Sequence, residues 1–452
     1  MPDMLNFWSQ WLRPSAGLPA VHWAVLLAVA AVAGSLCQRQ TGIPKVVGYA
    51  VVGALAGLLG FSGAEWPLHG PVLFLVELGV SVVLFECGGR IALRWFRHNP
   101  MVLVQSVLES TLTYAAVFFT LRWLDQPAYI ASPLAMIAMA SSPVLLRRVS
   151  DDTRASGPVT DRAMVLSTLS TLYALTLGSA KAEIFARPTT SLLDDISPVL
   201  VVLGVSVIMA AILALLMRVA LRFMSPASEN TSILILALIA AASAVAAHLG
   251  GSAPLAALLA GMVLKHLHPR PWAWPRQLGT ASSLLTMLMF VLVSSVAAGA
   301  PWGWSVALAG LALVVVRLLA KAVGVAVGNI GSGSSWRQSV WVACAMAPMS
   351  AVALLLTSQF ARAAPEPGAL IASIALPAIL LLELAGAVLA TMALYRAGEG
   401  TGWLGLRRNQ APVPSAPASA PAPASTAAPA PAPSPASAAP AAPPTSGDDH
   451  AA

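Results

Sequence analysis

Apolar stretches of about one bilayer crossing each, parted by short joints of polar residues, Pro and Gly, recur along the chain from residue 18 to residue 395. A hydrocarbon core of about 30 Å takes roughly 20 residues of helix. On that measure the pattern predicts about thirteen transmembrane helices, over 18–37, 43–61, 70–88, 100–122, 127–146, 163–185, 193–217, 230–249, 252–266, 279–299, 303–326, 338–360 and 369–395. The ninth is short and forms a helical hairpin with the eighth. Runs of this length without strict alternation are helices rather than barrel strands, since a helix satisfies its own backbone groups within one segment. The expected fold is therefore an all-α polytopic membrane protein.

Two spans are interrupted. The fifth carries Ser141, Ser142 and Pro143 inside apolar sequence, and the twelfth carries Pro348, Met349 and Ser350. A proline removes one backbone donor and frees a carbonyl one turn back, and in a membrane those groups need protein, water or an ion. One such cluster can be a mere kink. Matched clusters in the two halves of a chain point to crossed discontinuous helices with an ion site between them.

Composition agrees with the pattern: 58% of the 452 residues are hydrophobic and 10% charged, against about 25% charged in a soluble domain. The net charge of +7 is a topology signal and not a nucleic-acid one. With the N-terminus outside, eighteen of the 25 basic residues fall in cytoplasmic loops, five (Arg13, Arg122, Lys181, Arg187, Arg362) fall on the opposite side, and Arg317 and Lys321 lie within a span. That bias places the C-terminus in the cytoplasm. Residues 1–17 form a short N-terminal segment with no signal-peptide pattern, 18–396 the transmembrane domain, and 397–452 an Ala/Pro-rich cytoplasmic tail expected to be disordered. Cys37, Cys87 and Cys344 have no metal-like spacing and read as packing residues. Lys265, His266 and His268 read as a solvated helix end.

Ionisable residues within spans are where chemistry is expected, because each is costly in hydrocarbon without a partner. Glu77 and Glu86 lie near the ends of the third span and reach headgroups or water, whereas Glu109 and Glu383 sit near the middle of the fourth and thirteenth. Lys321 follows Arg317 by four residues, so both face one side of the eleventh span. Two cations on one stripe repel unless something anionic, or the C-terminal end of a half-helix, compensates them.

Several blocks carry a family resemblance in order along 18–395: Ile43-Pro-Lys-Val-Val-Gly-Tyr-Ala-Val-Val-Gly-Ala-Leu-Ala-Gly-Leu-Leu-Gly60, Glu77-Leu-Gly-Val-Ser-Val-Val-Leu-Phe85, Ser141-Ser-Pro-Val-Leu-Leu-Arg-Arg-Val149, Ala253-Pro-Leu-Ala-Ala-Leu-Leu-Ala-Gly-Met-Val-Leu264 and Trp336-Arg-Gln-Ser-Val-Trp-Val-Ala-Cys-Ala-Met-Ala-Pro348. Together they resemble the monovalent cation:proton antiporter superfamily, nearest its Kef-like potassium/proton branch. The resemblance implies two inverted six-helix repeats about a linking seventh helix, a dimerising scaffold, and a mobile core of helices 5, 6, 12 and 13 served by the helix-11 lysine, here Lys321. The departures from the family pattern are specific. The helix-6 aspartate that alternately binds cation and proton is missing, with Ser170, Thr171 and Leu172 in its region. Helix 12 reads Pro348-Met-Ser-Ala351 where the family has Pro-Arg-Gly-Glu, and helix 3 ends Gly88-Gly-Arg90 where the family has Gly-Leu-Glu.

The reading is secondary active transport of a monovalent cation, K⁺ or Na⁺, in exchange for protons across the inner (plasma) membrane, by a homodimer in the lipid bilayer. No cofactor, metal centre or enzymatic activity is expected. Ser141, Ser142, Ser170, Thr171, Lys321 and Ser350 are the candidate ion-site residues, Pro143 and Pro348 the helix breaks, and Glu109 or Glu383 the substitute proton carrier, because hydroxyls and carbonyls coordinate a cation but release no proton near neutral pH. The alternative is an uncoupled cation channel or a sensor on the same scaffold.

Overall fold

The computed structural model describes residues 18–60, 66–91, 93–186, 192–225, 228–268, 276–300, 303–349 and 351–400. The N-terminal segment 1–17 and the tail beyond residue 400 lie outside the described residues.

Among the described residues all regular structure is helical. In chain order the helices are α1 (Leu18–Thr41), α2 (Lys45–Leu58), α3 (Gly70–Gly88), α4 (Leu93–His98), α5 (Pro100–Trp123), α6 (Ala128–Met139), α7 (Pro143–Thr153), α8 (Pro158–Ala186), α9 (Leu192–Phe223), α10 (Glu229–His248), α11 (Ala253–Leu267), α12 (Arg276–Ala298), α13 (Trp304–Val327), α14 (Trp336–Ala345), α15 (Ala351–Ala363) and α16 (Pro365–Arg396). Among the described residues, ten segments are long and apolar enough to cross a membrane, α6 and α7 counting together as one, and α2, α11 and α15 are shorter apolar helices. Each predicted span lies on one helix or one broken pair. The fifth runs on as α7 to Thr153, beyond its apolar limit at 146, and the twelfth divides into α14 and α15.

Local sequence explains the breaks. Pro143 opens α7 at the position where a helix needs no N–H, and the Ser142 hydroxyl accepts from the Leu145 amide at 3.1 Å as its cap. Ala140 leaves α6 in an extended conformation, with φ −59° and ψ 130°. In the second pair, α14 starts on a capping box between Ser335 and Gln338 and stops at Ala345, ahead of Pro348.

The broken helix sits at the centre. In the windows of α6–α7 and of α8, 83% of residues are buried, against 11% in α1 and 33% in α9, which present their apolar side chains outward as a lipid-facing helix does. Close packing against this centre depends on glycine. A Cβ on Gly324 of α13, or on Gly328 that caps its C-terminus, would fall 2.6 Å from Glu109 Cα or 2.8 Å from Gln105 Cα on α5. The small-residue pair, one turn apart, therefore brings two backbones together. Gly386 does the same for α16, its absent Cβ leaving room for Pro348 at 2.8 Å.

Candidate functional site

The two breaks meet. The Ser142 amide, just before α7, donates to the Pro348 carbonyl at 3.0 Å, which links the first interruption to the second through the backbone alone. At this crossing the C-terminal ends of α6 and α14 each present carbonyls with no partner inside their own helix, carrying the negative end of the helix dipole.

Arg317 of α13 occupies that position. Its Nε donates to Ala138 O at 2.9 Å, Nη2 to Ala140 O at 2.8 Å and Pro348 O at 3.3 Å, and Nη1 to Ala347 O at 2.6 Å. A planar fork of five N–H donors suits several converging carbonyls, and the side chain is wholly buried. One turn on, Lys321 Nζ donates to Met139 O at 3.1 Å and forms an ion pair with Glu109 of α5. Glu109 also accepts from Ser110 Oγ at 3.2 Å and from Thr113 Oγ1 at 3.4 Å. Lys321 and Glu109 are both fully buried, so each compensates a charge that would be costly alone. The repulsion expected between Arg317 and Lys321 is thus relieved in two ways, by half-helix carbonyls around the first and by a carboxylate beside the second.

Of the hydroxyls, Thr171 reaches the crossing, its Oγ1 donating to Ser141 O and to Ser167 O, both at 2.7 Å. Ser170 turns back to its own helix, donating to Ser167 O at 3.2 Å. The hydroxyls of Ser141 and Ser167 are buried with no hydrogen-bond partner. Pro143 and Pro348 sit at the two breaks. Ser350 lies outside the described residues.

Glu383 stands apart from this cluster. Its Oε2 accepts from Ser294 Oγ of α12 at 2.8 Å, its Oε1 has no partner, and it is 1% exposed. Being three residues before Gly386, it lies on the face of α16 that packs on the second break. The structure therefore brings Lys321 to Glu109 and not to Glu383. Sequence reasoning did not assign Arg317 to the site, although its spacing from Lys321 and the paired breaks were the signals that pointed there.

A family model described as sodium/hydrogen exchanger, transmembrane, matches residues 25–395. The chain belongs to the sodium/hydrogen exchanger family. The family's transporters exchange cations for protons, so this exchanger's buried charge cluster lies in a transport scaffold. Its fold is similar to that of the sodium proton antiporter MjNhaP1 from Methanocaldococcus jannaschii. A structure of that antiporter at pH 8 superposes with a TM-score of 0.63 at 15% identity, covering 84% of this chain and 98% of that one. A structure from an electron-microscopy map gives 0.68 at 14% identity, covering 85% and 99%. The exchanger matches no curated protein sequence.

Proposed function

We propose that this exchanger moves a monovalent cation, K⁺ or Na⁺, against protons, and that Glu383 carries the proton. The observation that carries this reading is the contrast between its two buried carboxyl groups. Glu109 is committed to Lys321, whereas one oxygen of Glu383 has no partner. An ionised carboxylate left short of partners in a low-dielectric interior is costly, and binding either a proton or a cation relieves that cost. The same group can then serve both ions in turn. Ser141, Ser142 and Thr171, beside the crossing, would line the cation's path, with Ser170 one position away on α8, and Ser350 is proposed to join them from its place in the sequence. Placement in the Kef-like branch, in the inner membrane with the N-terminus outside, and as a homodimer belongs to the same reading, supported by the family-like blocks and the basic-residue bias of the loops.

A second reading has its own support. Arg317 puts a fixed cation at the helix crossing, and α8 offers no carboxylate there, so an uncoupled channel or sensor could use the same scaffold. Proteoliposomes with an imposed pH gradient separate the two. Antiport gives dissipation of ΔpH on addition of K⁺ or Na⁺, with whichever ion acts defining the substrate. Cation flux that ignores ΔpH and follows only voltage would sink the exchange reading.

A further inference from the structure

Helix α7 runs from the crossing to the basic face of the molecule, and its last turns are tied to three other helices. Arg148 Nη1 donates to Ser283 Oγ at 3.0 Å, and its Nη2 donates to Ser282 Oγ at 3.3 Å and Thr286 Oγ1 at 2.9 Å, all on α12. Arg147 pairs with Glu86 of α3 at 3.5 Å while holding Asp151 of its own helix at 2.8 Å. Asp152 Oδ2 accepts from the Lys45 amide at 3.0 Å. That amide opens α2, whose preceding residue, Pro44, has no side-chain acceptor to cap it, so Asp152 supplies the missing cap from another helix.

Each face also holds a cavity. On the basic face one of about 380 Å³ lies among Trp95, Asn99, Asp161, Arg162 and Ser334. On the opposite face one of about 360 Å³ separates the far ends of α8 and α15 from α3 and the start of α11, with Glu77, Ser179, Glu183, Gln359 and Arg362 among its walls. A hydrogen bond from the Leu68 amide to Ser358 Oγ at 3.1 Å joins α15 to the segment before α3 at that end. Neither cavity is lined by Ser141, Ser142 or Pro348, and at the basic face α7 is pinned to α2, α3 and α12.

We propose that Arg148, with Arg147 and Asp152, forms a gate that holds the crossing closed to the basic, cytoplasmic face. The inference rests on the transport reading for its purpose but not for its geometry. Because α7 begins at Pro143, the clamp and the crossing move as one rigid segment. Release of Arg148 from the α12 hydroxyls is therefore the step that lets the crossing face the cytoplasm. Arg148 acts by positioning and touches no ion. Its partners on α12 are neutral, so the bonds are directional and individually breakable, as a gate requires.

The test is side-specific labelling, which needs no ion coupling and so stands even if exchange fails. A reporter Ser141→Cys is placed in a background of Cys37→Ser, Cys87→Ala and Cys344→Ser, and exposed to a membrane-impermeant thiol reagent in right-side-out and in inverted vesicles. With Arg148 intact, the reagent should react slowly from the cytoplasmic face. Arg148→Ala should raise the rate from the cytoplasmic face at least about tenfold, the shift expected from losing a charge-assisted hydrogen bond, and Arg148→Lys should recover part of it. Should Arg148→Ala not fold, the acceptor variant Ser282→Ala, Ser283→Ala, Thr286→Ala carries the same prediction. Cytoplasmic labelling rates unchanged in a folded variant, or faster cytoplasmic labelling with the gate intact, would overturn the proposal.

Discussion

Glu109 and Glu383 look alike in sequence and opposite in structure. Both are carboxyl groups in the middle of apolar helices and both are buried, yet Glu109 meets an ammonium and two hydroxyls while Glu383 meets one hydroxyl and leaves an oxygen bare. Depth alone therefore does not mark a proton carrier. What separates a structural charge from a working one is whether its partners are already supplied. The α13 side of the crossing, with Arg317 and Lys321 saturated by carbonyls and carboxylate, reads as a scaffold of fixed charge. The α16 side, with Glu383, has capacity left over.

The largest effect that could break this contrast belongs to Arg317. Arg317→Ala would orphan the carbonyls of Ala138, Ala140 and Ala347, while Pro348 O keeps the Ser142 amide, at about 1–3 kcal/mol for each left without a donor, so the variant should be destabilised by several kcal/mol in thermal unfolding. It should also become stabilised by added K⁺ or Na⁺, which could take up the freed carbonyls. A variant as stable as wild type, and indifferent to salt, would mean that the carbonyls do not depend on the guanidinium.

Glu109→Gln comes next, since it strands Lys321 as an unpaired buried cation, at a cost of about 3–5 kcal/mol. Adding Lys321→Met should restore most of the loss, and the double-mutant cycle measures the coupling directly. Equal loss in the single and double variants would remove the ion pair from the account.

Thr171→Val deletes the hydroxyl that bonds Ser141 O and Ser167 O and should cost about 1 kcal/mol. The smallest structural effect is expected at Glu383. Glu383→Gln keeps an acceptor for Ser294, so unfolding should shift by no more than about 1 kcal/mol. A shift as large as that of Glu109→Gln would erase the difference between the two carboxyl groups.

Much of this architecture was legible in the chain. Apolar length gave the spans, and the clusters at Ser141-Ser142-Pro143 and Pro348 marked the breaks, because proline and small polar residues are side-chain signals of a backbone event. The partner of Lys321 was not legible. Glu109 lies 212 residues away in sequence, and what brings it there is the glycine pair at 324 and 328, which signals close approach without saying to which helix. The role of Arg317 was hidden for a different reason, since its partners are all backbone carbonyls and every residue carries one of those. Helix α4 went unseen because Leu93–His98 is too short and too basic to register as a span. The clamp on α7 lay past the apolar limit of its span, where Arg147 and Arg148 read as cytoplasmic loop charge and as the end of a family-like block, with no partner indicated.

The central claim is that the proton rides on Glu383 and not on Glu109, and ΔpH-driven cation flux in proteoliposomes tests it most directly. Glu383→Gln, reconstituted at wild-type levels, should show no flux above protein-free vesicles, while Glu109→Gln with Lys321→Met should retain exchange. Coupled exchange persisting in Glu383→Gln and lost in the Glu109/Lys321 pair variant would contradict the account.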